Sequence, residues 1–364
     1  MDDINATDWF SKPGDSIRDV MQRRRVSADD IAGRLDGGLN TLRSLLDGSR
    51  KIDIDVASCL SGVLGASPSF WLKRQENFEL AVARAVQAVA PDDVNDFISS
   101  VPAPGVKPRG KLSEASRFAE VRKRLVYFSV PNPKSWHEHY GRLVGRTDFR
   151  STSAFETKEE AVLMWLRRGE LESDLIRTET WDVDKLIGRL PEIKELSRLK
   201  LPALFLPRLR ALLAEAGVAL AVVKAPEGCR ASGATRLVSP DKAMILMSFR
   251  HRSDDQFWFT LFHEIGHLVL HHAQTFVDTD GMVSDDREDE ANNYARRCIV
   301  PADREEEFLS LNADETRVVR FSVQLKIAPG LIVGQMQKRQ MIEPKTLNFL
   351  KRRWTWEQIA PVEV

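Results

Sequence analysis

The sequence predicts a multidomain, mainly α-helical protein, with an N-terminal all-α domain of helix-turn-helix patterning and an α+β domain further along. Three observations carry this. The 364 residues exceed one ordinary domain, so at least two cores are expected. Residues 14–88 alternate short apolar-periodic runs with capping and turn residues. Beyond residue 200, two short and wholly apolar runs precede one long apolar helix, as in a small sheet that feeds a helical block.

The N-terminal elements follow from punctuation. Ser27-Ala-Asp-Asp reads as an N-cap with early acidic residues, and Asp36-Gly-Gly and Asp47-Gly-Ser read as helix ends or turns. Helices are expected near 15–24, 27–35, 39–46, 53–64 and 68–88. The stretch Val101-Pro-Ala-Pro-Gly-Val-Lys-Pro-Arg-Gly reads as a linker. The expected division is an N-terminal domain over 1–100, a linker over 101–116, a helical connecting region over 117–200, the α+β domain over 201–345 and a C-terminal tail over 346–364.

In the connecting region, helices are expected at Lys158–Arg168 and Val183–Leu196, around an irregular Pro/Trp-containing connection at 130–137. Its Trp and Leu residues read as core. From 203 a helix runs to about Ala216, followed by buried strands at 218–223 and 243–248 and a long helix at 255–272. Shorter helices are expected near 286–298, 302–310, 314–326 and 330–340.

Composition narrows the function classes. No run approaches the roughly 18 apolar residues that cross a bilayer, and Met1-Asp-Asp-Ile-Asn is polar where a secretory signal is basic and then apolar. A cytoplasmic protein with no membrane partner is expected. Cys59, Cys229 and Cys298 are odd in number and far apart, which argues against a disulfide framework and a cysteine-based zinc cluster. The 53 basic residues balance 53 acidic ones, so any nucleic acid must meet a local patch.

The segment Phe257-Trp-Phe-Thr-Leu-Phe-His-Glu-Ile-Gly-His-Leu-Val-Leu-His-His contains H-E-x-x-H on an apolar helix. Histidines four residues apart share one face, so His263 and His267 can converge on one Zn²⁺, while Glu264 sits about 100° round as general base. Catalytic zinc takes three protein ligands and water, so a third ligand is needed from a later helix. Asp285-Asp-Arg-Glu-Asp-Glu-Ala-Asn-Asn-Tyr-Ala-Arg-Arg offers Glu288 and Glu290. Glu290 is preferred because it adjoins Ala291 and stands one turn before Tyr294 and Ala295, the face expected to pack on the histidine helix. Asp285, Asp286 and Asp289 read as a solvated helix start.

His271 and His272 read first as helix-end caps and second as support for the site. Gly266 removes a side chain where something packs close. No oxyanion stabiliser is identifiable, and Tyr294 reads as core. The strand at 243–248 offers, by analogy, an edge for an extended peptide.

The stretch from about 200 to 340, with this motif, Glu288-Asp-Glu-Ala-Asn-Asn-Tyr-Ala and Ile299-Val-Pro, resembles the ImmA/IrrE family of zinc metallopeptidases. The resemblance implies a zincin-like α+β peptidase domain. It implies Zn²⁺ held by His263, His267 and the glutamate of the Glu-Ala-Asn segment, here Glu290, with Glu264 as catalytic base. It also implies cleavage of repressor proteins, which switches on stress-response or mobile-element genes; the function expected here is cleavage of a partner repressor or antitoxin, or of the chain itself, in a stress, phage-defence or mobile-element response.

From Ser27 to Lys51, two short helices around a Gly-containing turn form a helix-turn-helix, whose second helix can enter a DNA major groove. Its polar face carries Asn40, Thr41, Arg43 and Ser44, while Leu39, Leu42, Leu45 and Leu46 turn inward. Arg23, Arg24, Arg25, Arg50 and Lys51 can contact phosphates. The region, through Ala66-Ser-Pro-Ser-Phe-Trp-Leu-Lys-Arg-Gln-Glu-Asn-Phe-Glu-Leu, resembles Xre-like and HigA-type antitoxin helix-turn-helix domains. It departs from them at Ala28, where glutamine is frequent, and at the Asp36-Gly-Gly turn. Residues 1–85 hold 12 Lys+Arg against 13 Asp+Glu, a poor balance for tight DNA binding, so a dimerising or docking module is the alternative.

Arg150-Ser-Thr-Ser-Ala-Phe and Met164-Trp-Leu-Arg-Arg-Gly-Glu resemble the region that joins such modules. The expected partners are operator DNA and a protein substrate, either a repressor or an antitoxin, or a cognate toxin; a homodimer is compatible. The competing reading is a HigA-like antitoxin or repressor whose zinc domain is a sensor or binding surface without proteolysis.

Overall fold

The computed structural model describes residues 11–105, 110, 112–144, 153–271, 276–279 and 286–363. The chain divides into two compact units, Met1–Arg177 and Thr178–Val364.

The first unit opens with α1 (Pro13–Arg24), α2 (Ala28–Ala32), α3 (Gly38–Asp47), α4 (Ile54–Leu64) and α5 (Pro68–Gln87), close to the positions that the punctuation predicts. Ser27, Asp53 and Ser67 each accept a backbone N–H at a helix start. The turn between α2 and α3 has two consecutive left-handed residues, Gly37 (φ +81°) and Gly38 (φ +59°). Side chains rarely adopt that conformation, which accounts for the Asp-Gly-Gly at this turn. Ile17, Ile31, Leu42, Leu45, Leu60 and Trp71 close this core. Each aliphatic side chain among them contributes about 1.5–3 kcal/mol by its burial.

Helices α6 (Pro91–Ser100), α7 (Glu114–Phe128), α8 (Pro133–Val144) and α9 (Ser153–Asp174) complete the unit. The Pro/Gly-rich stretch does not divide it, because Phe78, Phe97, Leu125, Phe128, Trp136 and Leu163 share one core across it. The carbonyl of buried Val101 accepts Arg124 Nε at 2.7 Å, which ties the stretch down. The structure instead separates its units after Arg177. Helix α8 replaces the irregular connection expected at 130–137; Pro133 stands at its first position, where a missing N–H costs nothing.

The second unit comprises α10 (Val183–Leu196), α11 (Pro202–Glu215), β1 (Val218–Val222), β2 (Ala231–Ser239), β3 (Lys242–Met247), α12 (Asp254–Leu270), β4 (Phe276–Thr279), α13 (Asp286–Ile299), α14 (Glu305–Leu309), α15 (Glu315–Gln324), α16 (Pro329–Lys338) and α17 (Trp356–Ile359). The sheet order is β1-β3-β2-β4, with β1 and β3 parallel and the other pairs antiparallel. Strand β3 is therefore interior and offers no edge for a peptide, contrary to the expectation for 243–248. The small and polar residues of β2 hid it from pattern reading, and β2 is the strand that borders the histidine helix.

Residues 346–364 are not a free tail. Ser253 and Val223 bridge to Arg353 and Val362, and Trp354 packs among Phe205, Phe249 and Phe257. Lys351 Nζ donates to Asp255 Oδ2 at 2.7 Å, and Arg352 N donates to Asp254 Oδ1 at 3.0 Å, so this segment is fastened to the first turn of α12. Among the described residues, no helix is long and apolar enough to cross a membrane.

Candidate metal centre

Helix α12 is buried from Asp254 to Leu268 with few interruptions, which explains its nearly continuous apolar sequence. The four-residue spacing brings His263 Nε2 and His267 Nε2 to 3.0 Å. From α13, Glu288 Oε2 lies 3.2 Å from His263 Nε2, and its Oε1 lies 3.3 Å from His267 Nε2. These three residues form a group able to hold a metal ion. Zn–N and Zn–O bonds of about 2.0–2.1 Å in tetrahedral geometry place ligand atoms roughly 3.3 Å apart, and the donor set fits that spacing.

The carboxylate in this group is Glu288, where Glu290 was expected. Ala291, Ala295 and Ile299 are the buried stripe of α13. At about 100° per residue, Glu288 lies about 60° from Ala291, whereas Glu290 lies about 100° from it on the other side and so about 160° from Glu288. Adjacency in sequence to Ala291 therefore turned Glu290 outward. Its side chain is 61% exposed and lies 2.8 Å from His271 Nε2. A Cβ at Gly266 would come within 3.2 Å of Ala291 Cα and of Tyr294 Cβ, so glycine there permits the close approach of α12 and α13. Tyr294 is taken up by this packing and by a hydrogen bond to Cys298, as its reading as core implies.

Burial works against the charge on Glu288, but hydrogen bonds from His263 and His267 and their charge hold its carboxyl down at about 2. Burial pushes His267 down, with Glu288 opposing. Metal ligation requires an ionised carboxylate, the form toward which Glu288 is shifted, and the downward shift of His267 favours the neutral imidazole that a metal takes.

Glu264 is wholly buried, and its Oε2 accepts a hydrogen bond of 2.6 Å from Thr235 Oγ1 on β2. A Cβ at Gly233 would fall 2.4 Å from Glu264 Oε1, so glycine leaves the space that this carboxylate fills. The sequence reading missed Thr235 and Gly233 because it missed β2. It also missed Asn292, whose Oδ1 lies 3.2 Å from His263 Nδ1. A signal existed: Glu288 and Asn292 repeat on α13 the four-residue spacing of the two histidines.

The residues expected to read DNA are partly engaged within the first unit. Thr41 is buried beside Leu42 and Leu45; its hydroxyl donates to Asp36 O at 2.6 Å and accepts from Arg50 Nη1 at 2.9 Å. Arg43 meets α9, donating through Nε to Glu172 Oε1 at 3.0 Å and through Nη2 to Oε2 at 3.1 Å. Thr41 and Arg43 therefore turn inward in this structure, where an outward face was expected. Ser44 Oγ donates to Asn40 O at 3.0 Å, and Lys51 pairs with Glu79 at 3.2 Å. Asn40, Arg50, Lys51 and Arg23, Arg24 and Arg25 are exposed, while Ser44 is half-buried. His272, Asp285 and Arg150-Ser-Thr lie outside the described residues.

Residues 230–328, which carry the strand beside Glu264, the H-E-x-x-H helix and α13, match the Peptidase_M78 family model, the IrrE N-terminal-like domain. This part of the chain is a metallopeptidase-type domain. A second similarity is to the uncharacterized HTH-type transcriptional regulator YddM of Escherichia coli (strain K12), at 33% identity over 72 residues, 20% of this chain and 77% of that protein. The chain thus joins a helix-turn-helix domain to a domain of the ImmA/IrrE type.

Proposed function

We propose that this protein is a DNA-binding regulator carrying a zinc-dependent endopeptidase, which cleaves a partner repressor or antitoxin, or itself. The observation that carries the reading is the convergence of His263, His267 and Glu288 beside the buried carboxylate of Glu264. A zinc ion held by the two imidazoles and Glu288 would supply Lewis-acid chemistry toward water and a peptide carbonyl.

The chain's own groups do the rest. Glu264 takes a proton from the attacking water and returns it to the leaving amine, the two halves of general acid–base catalysis. Thr235 donates to one of its oxygens and so fixes the plane of the carboxylate. The apolar walls of α12 limit bulk water around the reacting groups. Similarity to an HTH-type regulator supports the DNA-binding half of the proposal.

The test uses the full chain with the product of the neighbouring gene as candidate substrate. Zinc should co-purify, and Glu264→Gln should keep the zinc while lowering cleavage by about 10²-fold or more. Undiminished cleavage by the Glu264→Gln protein would overturn the mechanism.

A further inference from the structure

His271 ends α12, a position where a histidine ordinarily caps the last turn and remains in water. Its side chain here is only 7% exposed. The ring lies between two partners: its Nδ1 is 3.1 Å from His267 Nδ1, and its Nε2 is 2.8 Å from Glu290 Oε2. His267 turns its other nitrogen, Nε2, to His263 and Glu288.

One proton arrangement fits all three groups. The Glu290 carboxylate accepts from His271 Nε2–H, which leaves His271 Nδ1 as an acceptor. His271 Nδ1 then accepts from His267 Nδ1–H, which leaves the lone pair of His267 Nε2 directed at the metal group. We propose that His271 and Glu290 are a positioning pair that holds His267 in its metal-binding tautomer and ring orientation. On His263, Asn292 takes the equivalent place, accepting from Nδ1 at 3.2 Å. The two ligand histidines thus differ in their support: a neutral amide holds one, and a carboxylate acting through an imidazole holds the other. Groups that orient a ligating imidazole typically contribute 10- to 100-fold in metal affinity.

The pair rests on the reading of His263, His267 and Glu288 as the metal ligands, and the experiment separates the two. Zinc affinity of the full chain is measured by competition with a chromophoric chelator in wild type, His271→Ala, Glu290→Ala, the double variant and His271→Gln. Each single alanine variant should bind zinc about tenfold more weakly or worse. The double variant should match His271→Ala, because Glu290 acts only through His271. His271→Gln retains an acceptor and should recover part of the loss.

Glu290 is exposed, so Glu290→Ala keeps the test valid should His271→Ala fold poorly; thermal melts of the metal-free proteins check this. Wild-type affinity in Glu290→Ala, or losses that add in the double variant, would overturn the pair. His263→Ala is the control. If it loses zinc while the His271 and Glu290 variants do not, the pair alone fails; if it too binds as wild type, the ligand reading fails with it.

Discussion

Glu288 and Asn292, one turn apart on α13, hold the two nitrogens of a single imidazole: the carboxylate lies 3.2 Å from His263 Nε2, and the amide oxygen lies 3.2 Å from Nδ1. The ring is fixed at both edges by one face of a neighbouring helix. The geometry of this His/Glu group therefore depends on the packing of α13 on α12 as much as on the H-E-x-x-H helix.

Replacement of the two glutamates should separate their roles. Glu288→Ala should reduce zinc to well below one ion per chain after dialysis. Glu290→Ala should still fill at saturating zinc, with weakened affinity. Atomic absorption on the dialysed and zinc-saturated proteins reads both, and a Glu288→Ala protein that retains a full equivalent contradicts the assignment.

At Gly233 the space is already taken. An added Cβ would meet Glu264 Oε1 at 2.4 Å and Thr260 Cγ2 at 2.7 Å. Gly233→Ala should destabilise the second unit by about 1–3 kcal/mol through overpacking. It should lower cleavage at least tenfold by displacing Glu264, with zinc content unchanged. Thermal melts and cleavage assays measured together test this, and wild-type activity in the variant counts against the placement of the carboxylate.

Arg43 is neutralised by Glu172, which also holds Arg168 Nη2 at 2.7 Å. Glu172→Ala should cost about 1–3 kcal/mol of stability in the first unit, since it leaves two half-buried guanidinium groups without their carboxylate. It should also tighten binding to the protein's own promoter DNA and steepen its salt dependence by about one phosphate contact. Anisotropy titrations across a salt series decide this. An unchanged slope would mean that Arg43 is structural only.

Burial pushes the Asp254 carboxyl up to about 6, against a hydrogen bond from the Arg352 backbone, and among the described residues no donor reaches its Oδ2. The folded state therefore holds this proton more tightly than the unfolded chain, whose aspartates titrate near about 3.9. Stability from this group is greatest below about pH 4, falls as pH rises toward about 6 and is level above it, a change on the order of 2–3 kcal/mol. Denaturant melts from pH 4 to 8 should show this decline, and Asp254→Asn should flatten it. A decline of the same size in the variant rules Asp254 out as its source.

Much of this was legible in the sequence. The five N-terminal helices, β1, β3, α12 and α13 announce themselves through caps and apolar periodicity, and H-E-x-x-H picks out the two histidines that the structure brings together. The rest required three dimensions. Over residues 231–236 strand β2 is built of Ala, Ser, Gly, Thr and Arg, where it meets the Glu264 carboxylate and the helix at close range, so hydrophobic alternation is absent there. Glu290 was preferred over Glu288 by adjacency to Ala291, although one residue on a helix is about 100° and three residues are about 60°. The partner of Arg43 lies 129 residues away, and no local pattern marks it.

The fastening of Lys351, Arg352 and Trp354 to the start of α12 also sets an order in time. On the ribosome, His263 and His267 emerge long before residue 351 is translated. Until then Asp255 has no lysine, and the aromatic cluster around Phe257 lacks Trp354. A chain cut short by a premature stop carries the histidines on a helix with an unanchored first turn, so the scaffold of the metal group is completed only when this late segment has been made.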